Sequence, residues 1–347
     1  MMPGNHGLPY GANSSRRKCL GDENAMPDYF LQPFISNGCF LFPPRLILHR
    51  KGVAASGNSS TRIMKISELF QQKKPVISFE VFPPKPDSPF ETVLEAVEAL
   101  QVLKPDFISV TYGAGGSTHS KTLELAQHIK TELGIEALAH LTCINSSTEE
   151  IEQILDEITD RNLENILALR GDPPRDSVRT VYNVHASHLV KRIAGRQQFF
   201  IAAAAYPEGH PEASSPQEDI LHLKEKVDAG ASLLITQIAF DNDYLKRFHE
   251  NAAQAGIAVP ITAGIMPVFS AGQIKHISGL CGATLPPALR AMLDKYSHNQ
   301  DALQSAGIEY ACKQIDDLLA YGFEGIHIYT MNRPLLARAI LSGTNLR

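Results

Sequence analysis

From residue 76 onward, short apolar runs rich in β-branched and aromatic residues alternate with longer stretches whose apolar positions recur at helical spacing. The runs are VISFEVF (76–82), FISVTYG (107–113), ALAHLTC (137–143), NILALRG (165–171), FFIAAAAYP (199–207), SLLITQIAF (232–240), PITAGIMPV (260–268) and GIHIYTM (325–331). Their starts lie roughly thirty residues apart, apart from a longer final gap with room for extra helices. Between them, PFETVLEAVEALQVL sets Phe90, Val93, Leu94, Val97, Leu100 and Leu103 on one helical face. SSTEEIEQILDEITD does the same with Ile151, Ile154, Leu155 and Ile158, and opens on Ser147 and Glu150 in capping-box spacing. In SSPQEDILHLKEKVDAG, serines precede a proline at the first helical position, and a glycine stands near the end.

Strand and helix alternating through eight units without hairpin signals imply parallel strands joined by right-handed crossovers. Eight units over 64–347 match the size of a (β/α)8 barrel, so the fold class is α/β, a TIM barrel with extra helices. An open doubly wound sheet is the alternative. Its dinucleotide fingerprint is missing after the first strand, where FPPKPDSP stands instead. Residues 1–63 mix Gly, Asn, Ser and Pro without period, the composition of a disordered extension or of translated leader ahead of a start at Met64. Within them SRRKCL resembles a twin-arginine signal but lacks the apolar stretch that should follow.

Composition narrows the class. Across 347 residues, 44% hydrophobic and 20% charged content allows a sizeable core in a soluble protein. A net charge of −5 argues against a nucleic-acid surface. The five cysteines are odd in number, scattered and without a C-x-x-C pair, which suits reduced thiols in the cytoplasm. No apolar run is long enough to span a membrane. The histidines lack metal-ligand spacing, so no metal is expected.

In a barrel the carboxyl ends of the strands face the active site. Read as a set, those ends offer Glu80, Thr111 and Tyr112, His140 and Thr142, Arg170 and Asp172, Tyr206, Gln237, and Tyr329 with Arg333. Apolar strands ending so consistently in hydrogen-bonding or ionisable groups have the pattern of a site. The Arg-Gly-Asp tripeptide at 170–172 is therefore a strand exit rather than an adhesion loop. Glu80, between Phe79 and Phe82, is either a carboxylate paired with a barrel arginine or a buried general acid, because burial disfavours a carboxylate's charge.

The motifs SFEVFPPK, SVTYGAGGS, HLTC, ALRGDPP, AAYPEGHPEA, DAGASLLITQ, GIMPV and HIYTMNR resemble, in order and spacing, those of bacterial-type methylenetetrahydrofolate reductase, from about residue 64 to the C-terminus. The resemblance implies an FAD enzyme that reduces 5,10-methylenetetrahydrofolate to 5-methyltetrahydrofolate in a ping-pong hydride relay, feeding methionine synthesis. NADH or NADPH is the co-substrate, with the choice left open, and a cytoplasmic homo-oligomer is expected. It makes Glu80 the catalytic acid and gives Asp172 a catalytic role beside flavin and pterin. Cofactor contacts carried over are Thr111, Tyr112, Ala114, His140, Arg170, Gly171, Asp172, Ala186, Tyr206, His210, Ala213, Asp219 and Lys226. Folate contacts are Asp172, Gln237, Gln273 and Arg333. A phenylalanine that stacks on the ligand in some relatives aligns with Ile277, while Phe269 is nearby in another register. The rivals are another barrel flavoenzyme, such as a proline dehydrogenase, and a non-enzymatic folate- or flavin-binding protein.

Overall fold

In the computed structural model, which describes residues 65–84, 88–112, 119–172 and 185–346, every apolar run supplies a strand. The expectations for residues 1–63 and for Ala114 lie outside the described residues. The strands are β1 (Val76–Val81), β2 (Phe107–Val110), β3 (Glu136–Thr142), β4 (Asn165–Leu169), β5 (Phe200–Ala205), β6 (Leu233–Thr236), β7 (Ile261–Ile265) and β8 (Gly325–Tyr329). Each pairs in parallel with its sequence neighbours, and β8 closes onto β1. The open-sheet alternative is thereby excluded. Strands stop short of the polar ends of their runs: Thr111, Arg170 and Gln237 all lie just beyond their strands.

The helices are α1 (Ile66–Gln72), α2 (Phe90–Gln101), α3 (His119–Thr131), α4 (Thr148–Asp160), α5 (Ala186–Gly195), α6 (Pro216–Asp228), α7 (Asn242–Gln254), α8 (Ala271–Cys281), α9 (Pro287–Lys295), α10 (Gln300–Tyr321) and α11 (Pro334–Gly343). The long gap between β7 and β8 holds the extra helices α8 and α9. Local chemistry starts two of these helices as the sequence implies. Glu150 N donates to Ser147 Oγ at 3.1 Å and Ser147 N donates to Glu150 Oε2 at 2.7 Å, closing the capping box of α4. Ser215 caps α6, with Pro216 at its first position.

Side-chain alternation along each strand makes two distinct cores. Odd positions of β1 (Ile77, Phe79, Val81) join Ile108, Val110, Ala139 and Leu141 in the layer between sheet and helices, where α2 contributes Val93, Val97 and Leu100. Inside the barrel, Phe107, Leu138, Leu167, Ala202 and Leu233 pack over Ile66, Leu69 and Phe70 of α1, which forms the floor. Sequence reading did not assign α1 this role. Above that apolar floor the interior turns polar. Ser78, Glu80, Ser109, His140 and His327 are all buried there, with Glu80 in register with Ser109 on one side and Tyr329 on the other.

Candidate active site

Glu80 is the acidic member of this polar layer and is only 7% exposed. The alternation of VISFEV points Phe79 into the sheet–helix layer, so it does not flank the carboxyl as sequence adjacency suggests. Its real neighbours come from across the barrel. Carboxyl oxygen Oε2 lies 3.6 Å from His140 Nε2 and 3.5 Å from His327 Nε2. No arginine pairs with it among the described residues. The Glu80 carbonyl accepts from Thr330 Oγ1 at 2.7 Å, which ties the exit of β1 to that of β8.

The two imidazoles are held differently. His327 is fully buried, and its Nδ1 sits 2.7 Å from Ser78 Oγ. Phe107 stacks on one side of its ring, and Tyr329 meets it edge-on with centroids 5.2 Å apart. His140 Nε2 is buried without a hydrogen-bond partner. Burial pushes the His140 pKa down to about 4, against a smaller opposing pull from Glu80, so the ring is neutral near pH 7.

Beside this layer a cleft of about 630 Å³ opens over the exits of β4, β5 and β6. It brings together most of the residues singled out from sequence. Arg170, Gly171 and Asp172 line one wall, with Ala186 at the start of α5. Tyr206, His210, Ala213, Asp219 and Lys226 line the other, and Gln237 is at its base. Arg170 makes a two-pronged ion pair with Glu212, joining the β4 exit to the loop before α6. Gly171 has φ +85°, and a Cβ there would stand 3.0 Å from Thr142 Cβ, so this glycine is needed for packing as well as for backbone conformation. Asp172 is exposed at the rim. Its charge nevertheless reaches across the cleft: together with burial, the larger cause, it raises the pKa of Tyr206 and that of Cys281, the latter to about 11.

Lys226 turns inward rather than lying on the outer face of α6. Its Nζ donates to Ala204 O at 2.9 Å, and burial lowers its pKa against the pull of Asp219. Asp219 accepts from His210 N at 3.1 Å, and the Tyr206 and His210 rings meet edge-on at 4.6 Å. Gln237 Oε1 accepts from its neighbour Ile238 N at 2.8 Å, so the donors this cleft-lining side chain can offer are its amide N–H groups.

Glu80 itself is not on the cleft wall. Tyr329 connects the two regions. The pKa of this phenol is raised well above 10 by burial first, then by the charges of Glu80, Cys281 and Tyr206. Its hydroxyl donates to Thr236 O at 2.8 Å, in space left by the missing Cβ of Gly264, which would approach Tyr329 to 2.8 Å. Thr111, Tyr112, Gln273 and Arg333 do not line the cleft. Thr111 O accepts from Thr122 of α3, and Tyr112 is half-buried against the sheet–helix layer. Gln273 Oε1 is buried without a partner. The Arg333 guanidinium lies 4.3 Å from the Phe269 ring centroid, so that ring face is already covered, and Ile277 packs among apolar neighbours of α8 and α9.

Sequence reasoning overlooked Ser78, Ser109, His327 and Asn332. The first three follow from the two-residue period: Ser78 shares the face of Glu80, and His327 that of Tyr329. Asn332 holds Phe82 through two 2.9 Å hydrogen bonds from a left-handed backbone (φ +53°), and nothing in the motif signals this. No group of metal-binding side chains occurs among the described residues, and no helix there is long and apolar enough to cross a membrane.

Residues 65–345 match the family model described as methylenetetrahydrofolate reductase. The chain is 37% identical over 264 residues to 5,10-methylenetetrahydrofolate reductase of Escherichia coli (strain K12), covering 76% of this chain and 88% of that one. It is 36% identical over 297 residues to methylenetetrahydrofolate reductase (NADH) 1 of Arabidopsis thaliana. That match takes in 81% of this chain but only 50% of the plant protein, so the chain spans about half the length of its plant relatives. Among solved structures, a Clostridium thermocellum protein that binds two copies of 5-methyl-5,6,7,8-tetrahydrofolic acid superposes with a TM-score of 0.59 at 13% identity. It covers 81% of this chain and 98% of its own, and shows the shared fold.

Proposed function

Because the chain belongs to the methylenetetrahydrofolate reductase family, we propose that it reduces 5,10-methylenetetrahydrofolate to 5-methyltetrahydrofolate, with FAD in the cleft and NADH or NADPH as co-substrate. The observation that carries the chemistry is the buried Glu80 carboxyl, backed by two imidazoles at the barrel mouth. Opening the five-membered folate ring requires a nitrogen to be protonated before the methylene carbon can accept hydride. Glu80 supplies that proton, and it is the acidic side chain buried in the polar layer of the barrel interior.

The donor set of the cleft fits an anionic dinucleotide. Lys226 brings a buried ammonium group, Arg170 a guanidinium, and Gln237 amide N–H groups. When bound, FAD supplies the capacity to take a hydride from one substrate and hand it to another in a ping-pong order. Lys226 and Arg170, the latter steadied by Glu212, would hold the charged linkage, while Tyr206 and His210 would give an aromatic wall. Asp172, whose charge reaches Tyr206 and Cys281, steadies the electron-poor folate cation and disfavours extra negative charge on the flavin ring. Gln237 faces the folate, with Gln273 and Arg333 as further contacts towards its extended tail. The NADH in the plant relatives' names supports a nicotinamide co-substrate. A cytoplasmic homo-oligomer that serves methionine synthesis completes the reading carried by the family.

Anaerobic titration tests it. Purified protein should be yellow, bleach with NADH or NADPH, and regain its colour on adding methylenetetrahydrofolate, with 5-methyltetrahydrofolate appearing in equal amount. Bleaching that the folate cannot reverse would sink the folate reading and leave another flavoenzyme activity. Absence of flavin after reconstitution would sink both.

A further inference from the structure

We propose that His327 is a positioning residue for the acid: fixed from behind by Ser78, it presents Nε2 to Glu80 Oε2 and stabilises the carboxylate left once the proton has gone to the folate. The proposal rests on the reading of Glu80 as the proton donor. Three features of the geometry support it. The ring is fully buried, and Phe107 and Tyr329 set its plane from two sides. Its Nδ1 is 2.7 Å from Ser78 Oγ, whereas Nε2 faces Glu80 Oε2 at 3.5 Å, with Ser109 Oγ also at 3.5 Å. His140 approaches the same oxygen from β3, so both imidazoles converge on Oε2 and Oε1 is the oxygen left to deliver the proton.

The proton count is simple. The transfer step proceeds from the acid form of Glu80: the O–H bond on Oε1 breaks as the N–H bond on the folate forms, and the carboxylate remains. The Ser78 proton lies on the short 2.7 Å contact to Nδ1 rather than on the 3.5 Å contact to the Ile326 carbonyl, which makes His327 the Nε2–H tautomer, the form that donates to the new negative charge. Closing the 3.5 Å gap to a charge-assisted hydrogen bond gains more with the carboxylate than with the acid, so it favours the state after transfer. Solvent restores the proton to Glu80 between turnovers, and His327 changes neither its own charge nor its partner on Nδ1. The titratable groups facing the Glu80 carboxyl among the described residues are His140 from β3 and His327 and Tyr329 from β8; Ser78 and Ser109 are neutral.

Stopped-flow measurement of the two half-reactions across pH, on FAD-loaded protein, tests the role. In His327→Leu the folate half-reaction should fall by about ten- to a hundredfold, within the usual span of acid–base contributions, while flavin reduction by NADH is unchanged. The alkaline limb of the folate half-reaction should move to higher pH, because a carboxylate that loses a donor holds its proton more tightly. The carboxylic C=O infrared band that Glu80→Gln abolishes should persist to correspondingly higher pH. His327→Gln, which keeps an amide donor, should bring limb and band back towards wild type. Ser78→Ala, which leaves the ring but frees Nδ1, should produce a smaller fall of the same half-reaction, and it tests the role even if His327→Leu does not fold. The role is overturned if limb and band stay in place, or if both half-reactions drop together with FAD still bound. A Glu80→Gln variant that retains full folate reduction would instead overturn the assignment of the acid itself.

Discussion

At the scale of single residues, Glu80 and His140 make separable demands. Hydride transfer from the nicotinamide needs no acid, whereas ring opening of the folate does. Glu80→Gln keeps the shape and removes the transferable proton, so folate reduction should fall by on the order of a hundred- to ten-thousandfold. Flavin reduction should stay within about tenfold, equivalent to about 1.4 kcal/mol of lost positioning. Single-turnover absorbance of each half-reaction separates the two, and a joint collapse would make Glu80 a residue of the common site. His140 predicts a pH effect on stability. Its folded pKa is about 4 against an ordinary 6.5, so between those values the unfolded chain binds a proton that the folded chain refuses. Stability is therefore lost as pH falls from about 6.5 towards 4, by up to about 3 kcal/mol at about 1.4 kcal/mol per unit. His140→Gln should flatten that slope in urea titrations at successive pH values. Residue identity at strand ends was readable because the barrel rule says which ends matter. The partners of those residues were not, since His140 and His327 reach Glu80 from other strands.

Helices and strands show where local signals suffice. The capping box of α4 forms as its spacing implies, and Ser147→Ala should cost about 0.5–2 kcal/mol, about 1 being typical of lost N-caps. The loss should appear in chemical denaturation with both half-reactions intact, because α4 carries no cleft residue. A drop in activity without one in stability would contradict that separation. The apolar runs locate every strand but overrun its carboxyl end, and α2 buries the face its periodicity marks. The helix α1 escaped notice for a physical reason. At seven residues it is too short to be stable alone, and it persists because Ile66, Leu69 and Phe70 close the barrel floor.

For the whole molecule, α1 sets how much chain can be removed. Deleting residues 1–60 should leave flavin content and melting temperature unchanged, because the floor helix begins at Ile66 and the family match at residue 65. Deleting through Gln72 uncovers Phe107, Leu138 and Leu233, and forfeits three buried side chains worth about 1.5–3 kcal/mol each. That rivals the whole stability of an ordinary domain, about 5–15 kcal/mol, so the shorter protein should aggregate or lose its flavin. If instead the first deletion precipitates, the extension belongs to the fold. The alternation along β1 also constrains how this lineage can change length. One residue gained or lost inside that strand would exchange Glu80 for an apolar neighbour on the inner face, and would turn the acid into the helix-packed layer. Chemistry and folding would fail in a single genetic step, with no neutral intermediate for drift to pass through. Insertions and deletions that survive selection should therefore gather in the loops joining strands to helices, and the strands should keep their lengths even where their residues are freely exchanged.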